Sequence, residues 1–416
     1  MRCFRYMTLL FAVTISANAF SSNTAISPAT YEALTDVQEL LQQQQYPEAE
    51  EQLSKLKEKL KPSFGLALVH QLYGQLYLSQ DKTSAAIGEF EAALALNVLP
   101  VAQEASMAAN VAQLYLSLEN SGAAIALLSS RLPRLLKQEQ ELLESGKKKV
   151  GLIIQPMVFA TLGLAYHLEQ NYPGVVQWMP MAIERSDGPK ESWLQVLSLA
   201  YYQQQQYDSA AEVLAQLIVL KPDNEDYWVQ RASMFQLLEQ PANTLAVLES
   251  AYAAGVLKKD NNLLLLVQLL ISQGIPERGA RVLNRAISEN QIELNEANWK
   301  LLAMAWQQGR EREDAIVALS QAANMSENGS LLLRAARLAF QDNHHQQAAE
   351  LAEQAYEMGL SAKEQASSLL LAGTGWFELQ RYPQARTWFQ RALKEPDSAA
   401  AARTWLDYID TLEEYL

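Results

Sequence analysis

Two distant stretches of this chain repeat almost the same sequence. "LLQQQQYPEAEEQL" covers Leu40 to Leu53, and "YYQQQQYDSAAEVL" covers Tyr201 to Leu214. In both, four glutamines precede a tyrosine, and an alanine three residues later begins an apolar stripe. A low-complexity glutamine tract and a structural repeat are the two possible explanations. A repeat would decide the fold of the whole chain, because self-similarity at a fixed period is the mark of repeat architectures.

The clearest unit is "LLLAGTGWFELQRYPQARTWFQRALKEP", which covers Leu369 to Pro396. It places a small residue and an aromatic on one helix, then a turn, then alanine, a large apolar residue, alanine and proline. Its residues at these places are Gly373, Trp376, Tyr382, Ala385, Phe389, Ala392 and Pro396. The same order recurs, clearly or weakly, in about ten frames between residues 30 and 397, spaced by about 33 to 38 residues except at one place.

These frames resemble the tetratricopeptide repeat. The resemblance implies an all-α fold, an α-solenoid that winds as a right-handed superhelix of about ten helix-turn-helix repeats with a C-terminal capping helix. Small residues such as Gly74 and Gly373 then lie where two helices approach closely, and each pair buries its apolar face against the next. Tyr46 and Tyr207 occupy the same slot, at the start of a second helix. The glutamines before them are predicted to end the first helix.

The repeat frame also predicts domain boundaries. Residues 20–130 are predicted to be N-terminal repeats, 156–397 the central and C-terminal repeats, and 398–416 a capping helix. The spacing between frames rises to about 51 in one place. Residues 131–155 there are interpreted as an insertion with an extended helix and a basic loop at Lys147 to Lys149. That loop is either a solvated loop or a docking spur for a partner.

The N-terminus has the pattern of a secretory signal peptide. Arg2 and Arg5 precede an apolar run, and Ala17-Asn18-Ala19 is a small-x-small cleavage site, so we expect residues 1–19 to be removed and the protein to be periplasmic. A buried N-terminal helix and a retained membrane anchor are the alternatives. The only cysteine, Cys3, lies in this segment, so the mature chain is expected to form no disulfide and no thiolate metal site.

The net charge and the absence of catalytic motifs in the sequence argue against several classes of function. The net charge of −14 disfavours binding to nucleic acid and to anionic lipid. The four histidines are not spaced as metal or catalytic motifs, and no phosphate-binding glycine loop or nucleophile elbow is present. We therefore predict no cofactor, no metal site, no catalytic residue and no enzyme activity, with protein as the partner.

In tetratricopeptide proteins a concave groove lined by the first helix of each pair binds the partner, and the resemblance implies a similar groove here. Its residues, carried over by register, are Tyr202, Gln236, Gln268, Lys300, Met304, Arg337, Phe340 and Phe377. The lysine and asparagine with which some relatives bind a C-terminal carboxylate are not reproduced, because Met304 follows Lys300 by four residues. Glutamine, aromatic and cationic groups suit an extended peptide. The alternative is that they are solvated or inter-repeat residues.

Signal peptide, acidic charge and repeats together resemble periplasmic tetratricopeptide proteins associated with TonB energy-transduction systems. The resemblance implies a non-catalytic adaptor, an accessory component of TonB-dependent transport, with TonB, ExbB or ExbD-type proteins as partners. A scaffold for outer-membrane, polysaccharide or peptidoglycan assembly is the alternative within the same class. An enzyme, or a regulatory subunit of one, is the alternative from another class.

Overall fold

The computed structural model describes residues 25–145 and 153–415, and within these ranges the protein is all-α, with 21 helices and no strand. The predicted signal peptide and the lysines of the predicted basic loop lie outside the described residues. Among the helices described, none is both long and apolar enough to cross a membrane. By its contacts the chain divides into two compact units, residues 1–221 and 222–416.

The described residues of the first unit form ten helices, in five consecutive pairs. They are α1 (Pro28–Gln42), α2 (Tyr46–Lys59), α3 (Phe64–Ser79), α4 (Thr83–Ala95), α5 (Val101–Ser117), α6 (Ser121–Glu144), α7 (Pro156–Leu168), α8 (Tyr172–Glu184), α9 (Glu191–Gln203) and α10 (Tyr207–Leu220). Each helix packs against the next along the chain.

In the second unit, the residues described up to 415 form five further pairs and one more helix. They are α11 (Glu225–Leu237), α12 (Pro241–Ala253), α13 (Asp260–Ser272), α14 (Pro276–Ser288), α15 (Glu296–Gln308), α16 (Arg312–Ser326), α17 (Gly329–Gln341), α18 (His345–Met358), α19 (Ala362–Glu378), α20 (Tyr382–Ala392) and α21 (Ala399–Tyr415). We call the first helix of each pair the A helix and the second the B helix. Neighbouring A helices also touch, as α17 and α19 do.

The predicted close approach within a pair is present. A Cβ added to Gly74 of α3 would lie 2.5 Å from the Phe90 ring of α4, and one added to Gly373 of α19 would lie 2.5 Å from the Phe389 ring of α20. Phe90 and Phe389 are fully buried. A glycine on the A helix thus makes room for an aromatic ring on the B helix, and the ring fills the core of the pair.

The turn between A and B helices is the same in all ten described pairs. A residue with positive φ lies two positions before each B helix: Gln44, Asp81, Glu119, Gln170, Gln205, Glu239, Gly274, Arg310, Asn343 and Gln380. The next residue donates its N–H to a carbonyl five positions earlier, at 2.9 Å from Gln45 to Leu40 and from Gln206 to Tyr201. This bond satisfies a carbonyl that the end of the A helix leaves without a partner.

This turn confirms one sequence prediction and corrects another. Tyr46 and Tyr207 both begin B helices, as the repeat frame requires. The glutamines before them do not simply end the A helix, because only Gln42 and Gln203 are helical and the next three residues form the turn. Helix propensity could not reveal this, since the chain needs one left-handed residue at the turn and glutamine adopts that conformation in both copies.

Helix α6 is the longest helix of the described chain and continues well past the length of its neighbours, to Glu144. Near its end, the buried Glu139 carboxylate accepts hydrogen bonds from the backbone N–H groups of Ile153, at 3.1 Å, and Ile154, at 2.8 Å. The Arg185 guanidinium donates to the same carboxylate at 2.9 Å. Glu139 therefore ties the chain that leads into α7 to the extended helix, and Arg185 compensates its buried charge.

The last helix covers the end of the second unit. Trp405 of α21 stacks on Phe389 of α20, with 5.5 Å between ring centroids and 2° between ring planes. Arg386 of α20 forms ion pairs with Asp410, at 2.5 Å, and Glu413, at 2.8 Å. Both carboxylates hold the pKa of the Arg386 guanidinium above its usual range, with the hydrogen bond to Asp410 as the main cause. A terminal element of a repeat stack needs an apolar inner face that covers the last repeat and a charged outer face towards solvent.

Candidate functional site

The predicted groove residues lie on A helices, at related places. Counted back from the positive-φ residue of each turn, Gln268, Met304 and Arg337 are each six positions away, on α13, α15 and α17. Tyr202, Gln236, Phe340 and Phe377 are three positions away, and Lys300 is ten. Offsets of three, six and ten fall on one face of an α-helix. We call this the A face.

The A face is accessible at most of these positions. In the second unit, exposed side chains stand on four successive A helices: Gln236, Gln268, Lys300, Met304 and Arg337. The exposed Tyr202 lies on α9, in the first unit. Met304 exposes 38% of its surface. The second unit thus brings amide, thioether and cationic groups together on one face.

The three aromatic residues among the predicted residues also pack within the turns. Phe340 lies edge-on to His345, the first residue of α18, with ring centroids 5.0 Å apart. Tyr202 and Phe377 make the equivalent contacts with Tyr207 and Tyr382. Each ring therefore helps to hold the A helix against the start of the B helix.

Phe377 is the predicted groove residue most involved in packing. Its ring also contacts Trp405 at 4.9 Å and Tyr408 at 5.6 Å, so α21 covers it. This is the inter-repeat role that the sequence left open for any single groove residue. This role could not be predicted from the sequence, because the contact depends on how α21 packs back over the last pair.

The cationic groups of the A face have defined partners. Lys300 lies 3.4 Å from Glu296, one turn earlier on α15. Arg337 of α17 donates to the Ser367 hydroxyl of α19 at 2.8 Å. Hydrogen bonds from the Ser361 and Ser330 hydroxyls lower the pKa of the Glu364 carboxyl, and the Arg337 charge adds a smaller effect in the same direction.

Sequence reasoning missed Arg334. It is exposed on α17, three residues before Arg337, and donates to the side-chain oxygen of Gln307 on α15. Arg334 lies nine positions before the turn residue of its pair, outside the offsets carried over from the repeat frame. The i, i+3 spacing from Arg337 was the signal that could have found it, because such residues are neighbours on a helix surface.

One cluster of metal-binding residue types lies at the turn between α17 and α18. Oxygen or nitrogen atoms of Glu313, Asp342 and His344 fall within 4.8 Å of one another. Arg312 already forms an ion pair with Asp342 at 2.8 Å, and the Glu313 side chain is 80% exposed. Asp342 therefore has a cationic partner, and we assign no metal to the cluster.

The buried histidine His70 has a structural environment. Its Nδ1 atom lies 2.6 Å from a carboxylate oxygen of Glu89, which also accepts a hydrogen bond from Lys57 at 3.1 Å. These residues come from three successive helices, α2, α3 and α4. The network joins the first two pairs.

Comparison with known proteins agrees with the repeat. Residues 333–402 match the family model described as tetratricopeptide repeat. No curated protein matches the chain. Among solved structures, a tetratricopeptide repeat protein from Parabacteroides merdae is 18% identical with a TM-score of 0.35, over 67% of this chain and 99% of its own.

Another similar structure is the C-terminal part of a repeat-containing protein from Cytophaga hutchinsonii. It is 14% identical with a TM-score of 0.34, over 70% of this chain and 95% of its own. Likeness at this level carries no statement about function. The chain thus carries tetratricopeptide repeats at residues 333–402, and its other helix pairs have the same helix-turn-helix arrangement.

Proposed function

We propose that this protein is a non-catalytic scaffold that binds segments of other proteins along the A face. The observation that carries the proposal is the run of exposed amide, thioether and guanidinium groups on successive A helices, at Gln268, Met304 and Arg337. Such a row presents hydrogen-bond donors and acceptors at repeat intervals, which suits an extended or helical segment more than a small molecule.

The second part of the proposal concerns the cellular compartment and the transport system in which the protein works. We propose that the scaffold works in the periplasm, as an accessory of a TonB-dependent transport system with TonB, ExbB or ExbD-type components as partners. Two features of the sequence support this, the N-terminal signal pattern and the acidic charge of the chain.

Site-specific photo-crosslinking in the native cell tests the proposal. A photo-reactive residue replaces Gln268 on the A face or, as a control, Val317, which is 55% exposed on the B helix α16. We expect protein adducts at position 268 and few at position 317. Absence of adducts at 268, or equal adducts at both positions, would contradict binding along the A face.

The same experiment tests the periplasmic location and the role in TonB-dependent transport. The adducts are recovered from the periplasmic fraction and identified by mass spectrometry. TonB, ExbB or ExbD-type proteins support the transport role. Adducts with outer-membrane, polysaccharide or peptidoglycan assembly proteins would contradict the transport role and support the alternative scaffold role. Adducts found only with cytoplasmic proteins would contradict the periplasmic location.

A further inference from the structure

Arginines of the second unit differ in what they bond. Five arginines on B helices form ion pairs with carboxylates: Arg278, Arg281, Arg285, Arg312 and Arg386. By contrast, Arg334 and Arg337 on the A helix α17 donate to neutral oxygens, those of Gln307 and Ser367. Within the described residues neither has a carboxylate within ion-pair distance. Within the described residues both guanidinium groups thus lack a direct ion pair, and the charge of Arg337 acts only at longer range on the Glu364 carboxylate.

The two side chains are also oriented by their neighbours. Arg334 reaches back to α15, and Arg337 reaches forward to α19. A guanidinium has five N–H donors in a fixed plane, and each of these hydrogen bonds uses one of them. The remaining donors stand on an exposed surface, where carboxylates can approach with both oxygens.

Apolar groups also lie on the helices α15 and α17. Phe340 follows Arg337 by three residues on α17, and the exposed Met304 lies on α15, the helix that Arg334 reaches. A thioether and an aromatic ring suit an apolar side chain of a partner. Charge and apolar surface together therefore favour a segment that carries both carboxylates and a large apolar residue.

We infer that Arg334 and Arg337 bind side-chain carboxylates of an acidic segment of the partner protein, whose apolar residue packs near Met304 and Phe340. The inference rests on the proposed function and names the partner chemistry for the part of the A face between α15 and α19. The charges select against basic segments and draw acidic ones to α17, although the chain as a whole is acidic.

Fluorescence anisotropy of the full chain with defined peptides tests this. The probe is a short labelled peptide rich in glutamate with one phenylalanine, amidated at its C-terminus. Replacing both arginines by glutamine (R334Q and R337Q) removes the charges and keeps hydrogen-bonding groups. We expect this double variant to bind the probe about tenfold more weakly, as two exposed charge-assisted contacts of roughly 0.7 kcal/mol each predict.

The matched control removes two arginines that already have carboxylate partners. R281Q with R285Q on the B helix α14 changes the net charge equally but breaks ion pairs with Glu277 and Glu289. We expect probe binding within about twofold of the wild type, because this change is felt only through the long-range field. Circular dichroism and urea unfolding of both double variants show that the fold is kept.

Four results would overturn the inference. They are no binding of the acidic probe by the wild type, equal binding of a peptide with lysine in place of glutamate, equal losses in the two double variants, and binding only when the C-terminus is a carboxylate. The last result would point to capture of a chain end instead of side chains. Adducts at position 268 that persist alongside any of these would leave the scaffold proposal in place and remove only the acidic partner.

Discussion

At the scale of single residues, the volume of one side chain sets that of another in the same pair. Gly74 faces Phe90, Gly163 faces Met179 and Gly373 faces Phe389, sixteen residues apart in each case. Where the A position is larger, the B position is not aromatic, as with Ala303 and Leu319. A fixed helix separation explains this, because the space shared between two helices must be filled without overlap.

Gly74→Ala is therefore expected to destabilise the protein. The new methyl group would lie 2.5 Å from two atoms of the buried Phe90 ring, so the pair must shift to admit it, at a cost of about 1–3 kcal/mol. Gly88→Ala in α4 is the control, since no atom lies within 4 Å of the added group and the site is exposed. It is expected to stabilise the helix by about 0.5–1 kcal/mol. Urea unfolding followed by circular dichroism measures both, and equal effects would contradict the packing described.

Tyr115 provides a prediction about pH. Its hydroxyl donates to Glu91 at 2.7 Å, and burial, followed by this bond, raises the pKa of Tyr115 to about 12. A raised folded-state pKa favours the protonated hydroxyl, so the stabilisation is complete below the unfolded-state pKa of about 10 and is lost as the pH rises towards 12.

The difference in unfolding free energy between the wild type and Tyr115→Phe is therefore expected to stay constant up to about pH 10 and to decrease between pH 10 and 12. Urea unfolding across this range measures it, with Tyr31→Phe, an exposed tyrosine of α1, as the control. A difference that is unchanged up to pH 12 would show that the hydroxyl is not held protonated by the fold.

At the scale of elements, the recurring unit is the turn as much as the helix. All ten described pairs place one left-handed residue two positions before the B helix, yet only one of these residues, Gly274, is glycine. The others adopt a backbone conformation that costs an L-residue roughly 1–2 kcal/mol. The hydrogen bond that follows, together with packing between the helices, offsets this cost in each pair.

Gln205→Gly is expected to stabilise the protein by about 1 kcal/mol, because glycine adopts φ 59° without the clash of a Cβ. The neighbouring Gln206→Gly is the control, since that residue has φ −87° and gains nothing from glycine. Both side chains are exposed, so the comparison isolates the backbone. Thermal unfolding of the two variants checks the prediction, and a more stable Gln206→Gly than Gln205→Gly would contradict it.

At the scale of the whole molecule, the apolar face of the last described helix pair needs a cover. Within the second unit each pair supplies the apolar wall of the next, and the pair of α19 and α20 has no pair after it in the described residues. Helix α21 takes that place through Trp405 and the fully buried Ile409. A terminal element of this kind protects a surface that would otherwise associate with other molecules.

A chain that ends after Asp397 is expected to self-associate and to melt at a lower temperature, because Phe389 and Phe377 lose their cover. Light scattering after size-exclusion chromatography measures the mass. Arg386→Gln in the full chain is the control. It removes the ion pairs but keeps the apolar cover, so its mass should match that of the wild type and its stability should fall by at most about 1 kcal/mol. An unchanged mass and melting temperature of the shortened chain would show that α21 is not a cap.

The sequence alone determined the helix pairs of this protein and the A helices on which the predicted groove residues lie. Small and large residues recur at a fixed period, so the positions of Gln268, Met304 and Arg337 on their helices could be predicted from the sequence. The period says nothing about contacts between successive pairs or about the return of the last helix. Only the tertiary structure decided that α21 covers Phe377, that Glu139 ties down the chain after α6, and that Arg334 and Arg337 bond neutral oxygens. Those outcomes depend on distances across helices, which no local pattern of residues encodes.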